Sequence, residues 1–211
     1  MVSIGLGHAS SNPLGTTLSN TQVLFKGTPG PVLYASSGQT NVVVPYEIAG
    51  SENVTVVVSY LGVPASSMQF KVVPTTPGLY TLNEYGTGDA AIRRLNSDGT
   101  TTLINASNPA AEGDLLELYG DGYGLATAST SLPDGAVVTT VLPLPAAKTA
   151  VLIDGQPVSA ANVQYFGGAG DEVNGVMQIN LKVPKLAPGP HSIQVQVGSA
   201  VSRTGVNLQT K

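Results

Sequence analysis

Apolar and polar residues alternate along most of the chain. In NVTVVVSY, Val54, Val56 and Val58 fall on one side, and Thr55, Val57 and Ser59 on the other. Met177, Ile179, Leu181 and Val183 alternate with Gln178, Asn180 and Lys182, and Ile193, Val195 and Val197 repeat the pattern. A period of two marks a half-buried antiparallel strand. The same reading places strands at 22–25, 32–35, 41–46, 68–73, 115–119, 150–153, 163–166 and 205–209. At the start, Val2, Ile4 and Leu6 alternate with Ser3, Gly5 and Gly7, as a strand running into a glycine turn. Turn signals separate the strands at Lys26-Gly27, Asp98-Gly99, Asp154-Gly155 and Pro188-Gly189. No window carries a helical period, so the expected fold is all-β, built of short strands with frequent turns as in a sandwich.

The strands recur in a repeated order. VLFKGTPGPVLYASSG, from Val23, lines up with VLIDGQPVSAANVQYFGG, from Val151. In both copies a strand ending in Val-Pro follows (Val44-Pro45 and Val183-Pro184), then a long alternating strand. GVPASSMQFKVV matches GSAVSRTGVNLQT, and MVSIGLGH matches LLELYGDGYG. Two modules are expected, at 1–75 and 76–211, joined by a stiff connector containing Pro74 and Pro77.

The copies differ at their beginnings. The second has a long lead-in at 90–114, with a hairpin about Asp98-Gly99 in which Ile92 and Leu95 precede the turn and Leu103 and Ile104 follow it. The first begins at the strand itself, so it reads as a sandwich lacking its N-terminal strand. Two explanations fit that pattern: the polypeptide continues upstream, or another subunit supplies the strand. An incomplete sandwich exposes unpaired backbone groups that are adhesive, and an extended segment can fill them by β-augmentation. Head-to-tail donation does not close on itself and grows a filament. On this reading Val2, Ile4 and Leu6 form the receiving edge. The donor is either the C-terminal stretch with Val206 and Leu208 or the residues around 89–104.

Several blocks carry a resemblance: PGLYTLNEYGTGDAAI, SNPAAEGDLLELYGDGYG, MQINLKVP and, in the first copy, VLYASSGQTNVVVPYE. Across nearly its whole length the chain resembles the repeated immunoglobulin-like, TIG-like C-terminal region of secreted or surface proteins of Acidobacteria, especially Solibacter-type bacteria. The resemblance implies tandem immunoglobulin-like sandwiches placed outside the cell after another domain, and it implies no catalysis. Family members normally carry a strand and a Pro/Gly segment before the stretch matching Val2–Gly7, from which this chain departs.

Composition agrees with an exposed setting. Charged residues make up only 10% of the 211, so Ser, Thr, Asn, Gln and Gly must form the surface, as in secreted or cell-surface proteins. With no cysteine there are no disulfides and no thiol chemistry. A net charge of -4 argues against a nucleic-acid partner. No stretch approaches the ~18 apolar residues that read as a membrane helix, so membrane insertion is not expected.

Signals for chemistry are sparse. The two histidines, His8 and His191, lie in different copies, too few for a usual zinc site without cysteine. His8 has Ser10 and Ser11 near it, but no Gly-x-Ser-x-Gly elbow is present. His191 opens an alternating strand and reads as a surface residue. Asp121, Asp171 and Glu172 sit in glycine turns without the spaced series of oxygen ligands that calcium needs. Of eight tyrosines, Tyr80, Tyr85 and Tyr123 are expected to be exposed and available to stack on sugar rings. The sequence therefore reads as a non-enzymatic, cofactor-free extracellular structural protein whose partner is itself, assembling by strand complementation. The alternative is a polysaccharide- or ligand-binding accessory region of a larger surface protein.

Overall fold

The computed structural model of the chain describes residues 7–8 and 11–211; Val2, Ile4 and Leu6 lie outside the described residues. The fold is all-β, its sheets almost entirely antiparallel as in β-sandwich folds. Among the described residues, helix is confined to two 3-10 turns, Tyr46–Ile48 and Ala160–Asn162.

The chain divides into two compact units. The first comprises Met1–Pro74, Leu132–Val141 and Gly170–Asn174, and the second comprises Thr75–Ser131, Leu142–Ala169 and Gly175–Lys211. This differs from the expected boundary, which assigned everything after residue 75 to the second module. The chain returns twice to the first unit.

The first unit holds β1 (Gly7–His8), β2 (Thr21–Phe25), β3 (Thr28–Pro29), β4 (Val32–Ala35), β5 (Thr40–Val42), β6 (Asn53–Tyr60) and β7 (Val63–Lys71). One sheet has the order β3-β2-β6-β7 and the other β1-β4-β5. Val23, Phe25, Ile48 and Val54 form its small core, with Val42, Val56, Val58 and Val72 packed against it. The two returning segments pair with each other through an antiparallel bridge between Val137 and Val173. They are fixed to the unit by Leu14 N donating to Gly135 O at 2.8 Å and Val137 N donating to Asn12 Oδ1 at 3.0 Å. Buried Asn174 donates from Nδ2 to the carbonyl oxygens of Leu132 and Pro133 at 3.1 and 3.4 Å.

The second unit holds β8 (Gly78–Leu79), β9 (Gly88–Asp89), β10 (Ile92–Leu95), β11 (Thr101–Leu103), β12 (Leu115–Asp121), β13 (Thr149–Ile153), β14 (Gln156–Pro157), β15 (Val163–Gly168), β16 (Met177–Lys182), β17 (Gly189–Val197), β18 (Ala200–Val201) and β19 (Val206–Thr210). One sheet runs β11-β10-β12-β16-β15 with β8 also on β12. The other runs β14-β13-β17-β19-β9 with β18 on β17. Their inner faces share one core, with Leu116, Leu118, Ile179 and Leu181 from the first sheet and Val151, Ile193, Val195 and Leu208 from the second.

Three hairpins turn on two residues that both have positive φ: Lys26-Gly27 (52° and 90°), Leu61-Gly62 (51° and 77°) and Asp154-Gly155 (50° and 74°). Positive φ at both positions defines the type I′ turn, whose twist matches the strands it joins. The Lys26-Gly27 and Asp154-Gly155 turns begin corresponding β2–β3 and β13–β14 hairpins in the two units.

Candidate functional site

The most unusual element is β7. All nine of its residues are exposed, and it closes one end of its sheet, hydrogen-bonded to β6 alone among the described residues. Val72 N donates to Glu52 O on the β6 side at 2.9 Å. Because backbone groups of an antiparallel strand face left and right on alternate residues, those of Met68 and Phe70 also face β6. Those of Ser67, Gln69 and Lys71 face outward.

The side chains are no better covered. Directly paired residues lie on the same face of a sheet. Phe70 stands opposite Val54 and Met68 opposite Val56, so both share the core face. Yet Met68 is 62% and Phe70 50% exposed. On the core face Val23 and Phe25 of β2 and Val54 of β6 are buried, Val56 and Val58 of β6 are half-buried, and Met68 and Phe70 of β7 are open.

The second unit gives the reference for what belongs there. In the first unit β2 pairs with β6 at Val23–Val58 and Phe25–Val56, and in the second β13 pairs with β17 at Val151–Val195 and Ile153–Ile193. Carrying this register forward, the Val54–Phe70 pair corresponds to His191–Leu208, and Thr55–Gln69 to Ser192–Asn207. Phe70 is therefore the counterpart of Leu208, and Met68 that of Val206. These counterparts are 0% and 1% exposed. What covers them is the lead-in. β9 runs parallel to β19, with Gly88 opposite Val206 and Asp89 opposite Asn207. Gly88 N and Ala90 N donate to the outward carbonyls of Gly205 and Asn207 at 2.7 and 2.9 Å, and Ala110 N donates to Gln209 O at 2.9 Å. Ala90, Ile92 and Ala110 then lie in the core. No such lead-in covers β7 among the described residues.

The other sequence-predicted residues fall as follows. Val206 and Leu208 are core residues of β19, which is paired on both sides within its own unit, by β17 and β9. They are not a free donor strand, because their apolar side chains are already buried. Tyr80 and Tyr85 are exposed (40% and 81%), whereas Tyr123 is buried at 1%. That corrects its expected exposure, since Tyr123 packs into the core of the second unit despite its glycine neighbours. Met68, Phe70 and the β7 edge were missed as a site. Their alternation was legible, but only the strand register reveals that the face opposite them is uncovered.

His191 offers no free base. Its Nδ1 lies 2.6 Å from Asp154 Oδ2 and its Nε2 2.8 Å from Ala187 O, and both partners are acceptors. In the first unit, Tyr46 N reaches both carboxylate oxygens of Asp134 at 3.2 Å. Burial, and then a hydrogen bond with the Glu47 carboxyl, push Asp134 up to about 6. The arrangement is a tie between a returning segment and the Tyr46–Ile48 turn. Among the described residues, no three His, Asp or Glu side chains gather as a metal site requires, and no helix is long and apolar enough to cross a membrane.

Fold and edge together define an all-β protein in which, among the described residues, the second unit is closed over its core and the first leaves β7 uncovered at the end of its sheet. The chain matches no protein-family model and no curated relative.

Proposed function

We propose that the protein is a non-enzymatic extracellular structural module that joins neighbouring chains by accepting a β-strand along β7. The observation that carries this reading is the contrast between exposed Met68 and Phe70 and their buried counterparts Val206 and Leu208. A long edge strand that exposes large apolar side chains is what natural sheets avoid unless it is to be paired. On β7 only Pro64 and Lys71 oppose pairing. The extracellular setting rests on the low charge and the resemblance to TIG-like surface regions. Acceptance repeated from chain to chain builds a filament. The incoming strand is not β19, which is committed to its own core.

The test is light scattering and negative-stain electron microscopy of residues 1–211 over rising concentration, beside Phe70→Lys. Concentration-dependent assembly of the native chain, abolished by Phe70→Lys, is expected. A native chain that stays monomeric at every concentration overturns the reading. The second reading, a polysaccharide-binding accessory region, draws on Tyr85 at 81% exposed. It calls for retention on a polysaccharide column that Tyr85→Ala removes.

A further inference from the structure

Strand acceptance at β7 leaves open the direction and chemistry of the strand that enters. Resting on that reading, we infer that the strand runs parallel to β7, places small or branched apolar residues over Met68 and Phe70, and carries a carboxylate on its outer face beside Lys71.

The template is again the second unit. β9 enters parallel to β19, the only parallel pairing between named strands among the described residues. Ala90 and Ile92 turn inward to the core, and Asp89, just before Ala90, turns outward. There the Asp89 carboxylate accepts a hydrogen bond from Gln209 Nε2 at 2.7 Å. Gln209 pairs with Pro190 as Lys71 pairs with Asn53, so Lys71 is the counterpart of Gln209.

The first unit thus replaces an amide donor with an ammonium at the point where the second unit binds a carboxylate. An ammonium forms a stronger, charge-assisted bond with the same partner. Lys71 is also the only charged residue of β7. The outward carbonyls of Ser67 and Gln69 correspond to those of Gly205 and Asn207, which accept from Gly88 N and Ala90 N in the second unit. Backbone, apolar and charged features of β7 therefore all match one pattern. It is a small residue, an acid, a small apolar residue, any residue, and a branched apolar residue, as in Gly88-Asp89-Ala90-Ala91-Ile92.

The probe is a synthetic peptide of residues 86–95, GTGDAAIRRL, titrated into the full chain and read by fluorescence anisotropy. Binding to the native chain is expected, with loss on Phe70→Lys. Lys71→Glu should weaken it by about tenfold, since reversal both removes the pair and adds a repulsion. A peptide with Asp89→Lys should bind Lys71→Glu better than it binds the native chain. Lys71 is exposed, and circular dichroism confirms that the variant folds. The inference is overturned if the peptide does not bind, or if exchanging the charges on both partners restores nothing. Assembly that Phe70→Lys abolishes, together with a peptide that does not bind, removes this inference alone and leaves edge acceptance standing.

Discussion

His191 Nδ1 and Asp154 Oδ2 are joined at 2.6 Å, while His191 Nε2 faces the Ala187 carbonyl at 2.8 Å. An acceptor on each side favours the imidazolium, in which both ring nitrogens donate. The Ala187 carbonyl, and then Asp154, raise the His191 pKa above 6.5. A raised histidine pKa stabilises the fold fully below about 6.5, and the contribution is lost as pH rises through the folded value. The hydrogen bond from His191 lowers the Asp154 pKa below 3.8, so the carboxylate's share is present above that pH and lost beneath it. His191→Ala should therefore lower the melting temperature more at pH 5.5 than at pH 9. Equal losses at both would contradict the charged pairing.

Asp134 has the opposite consequence at neutral pH. Its pKa is raised from 3.8 to about 6, first by burial and then by Glu47. The folded chain holds a proton that the unfolded chain releases, so stability falls as pH climbs between those values and the deficit persists above them. Asp134→Asn keeps an acceptor for Tyr46 N and removes the charge. It should gain about 1 kcal/mol at pH 7.5, after allowance for solvent screening of a partly exposed group, and nearly nothing at pH 4. Denaturant melts at the two pH values give the comparison.

Thr21 is buried at the start of β2, and its Oγ1 has no hydrogen-bond partner among the described residues. A buried unpaired hydroxyl costs more than the methyl that would replace it. Thr21→Val should stabilise the chain by about 1 kcal/mol. A loss of stability would show that the hydroxyl is satisfied in solution.

Leu61 occupies the first turn position of the β6–β7 hairpin at φ 51°, where a branched side chain is strained. Asparagine is favoured there beside Gly62. Leu61→Asn should add up to about 1 kcal/mol, measured by urea unfolding, because it relieves part of a left-handed strain of about 1–2 kcal/mol.

The two counterpart residues should respond unequally to truncation. Leu208→Ala should cost about 2–5 kcal/mol, as for a closed core. Phe70→Ala in the isolated monomer should cost less than about 1 kcal/mol, since half of that side chain is already in water. Similar costs would mean that β7 is covered in solution.

Local patterns were the most readable part of the sequence. The alternation of β6, β16 and β17, the Lys26-Gly27 and Asp154-Gly155 turns and the β10–β11 hairpin all follow from residue period and glycine placement. The Leu61-Gly62 turn was hidden because leucine does not announce a positive φ. The expected strand at 68–73 proved longer, Val63–Lys71, since a hairpin so tight leaves no loop before it. Leu132–Val141 and Gly170–Asn174 carry no period that marks them as parts of the first unit. Their attachments, such as Asn174 to the Leu132 carbonyl and Asp134 to Tyr46, are polar and join residues far apart in sequence. The unequal lead-ins point to an open edge, expected at Val2, Ile4 and Leu6, which lie outside the described residues. Only pairing register identifies Met68 and Phe70 as uncovered counterparts of a buried pair.

The most direct measurement is residue-resolved amide hydrogen exchange of the native chain, dilute and concentrated. The amides of Ser67, Gln69 and Lys71 face away from β6, whereas those of Met68 and Phe70 are bonded to it. Strand acceptance at β7 should slow exchange at the first three on concentration and leave the other two nearly unchanged. Assembly that protects other surfaces, with Ser67, Gln69 and Lys71 exchanging as fast as in the dilute monomer, would contradict it.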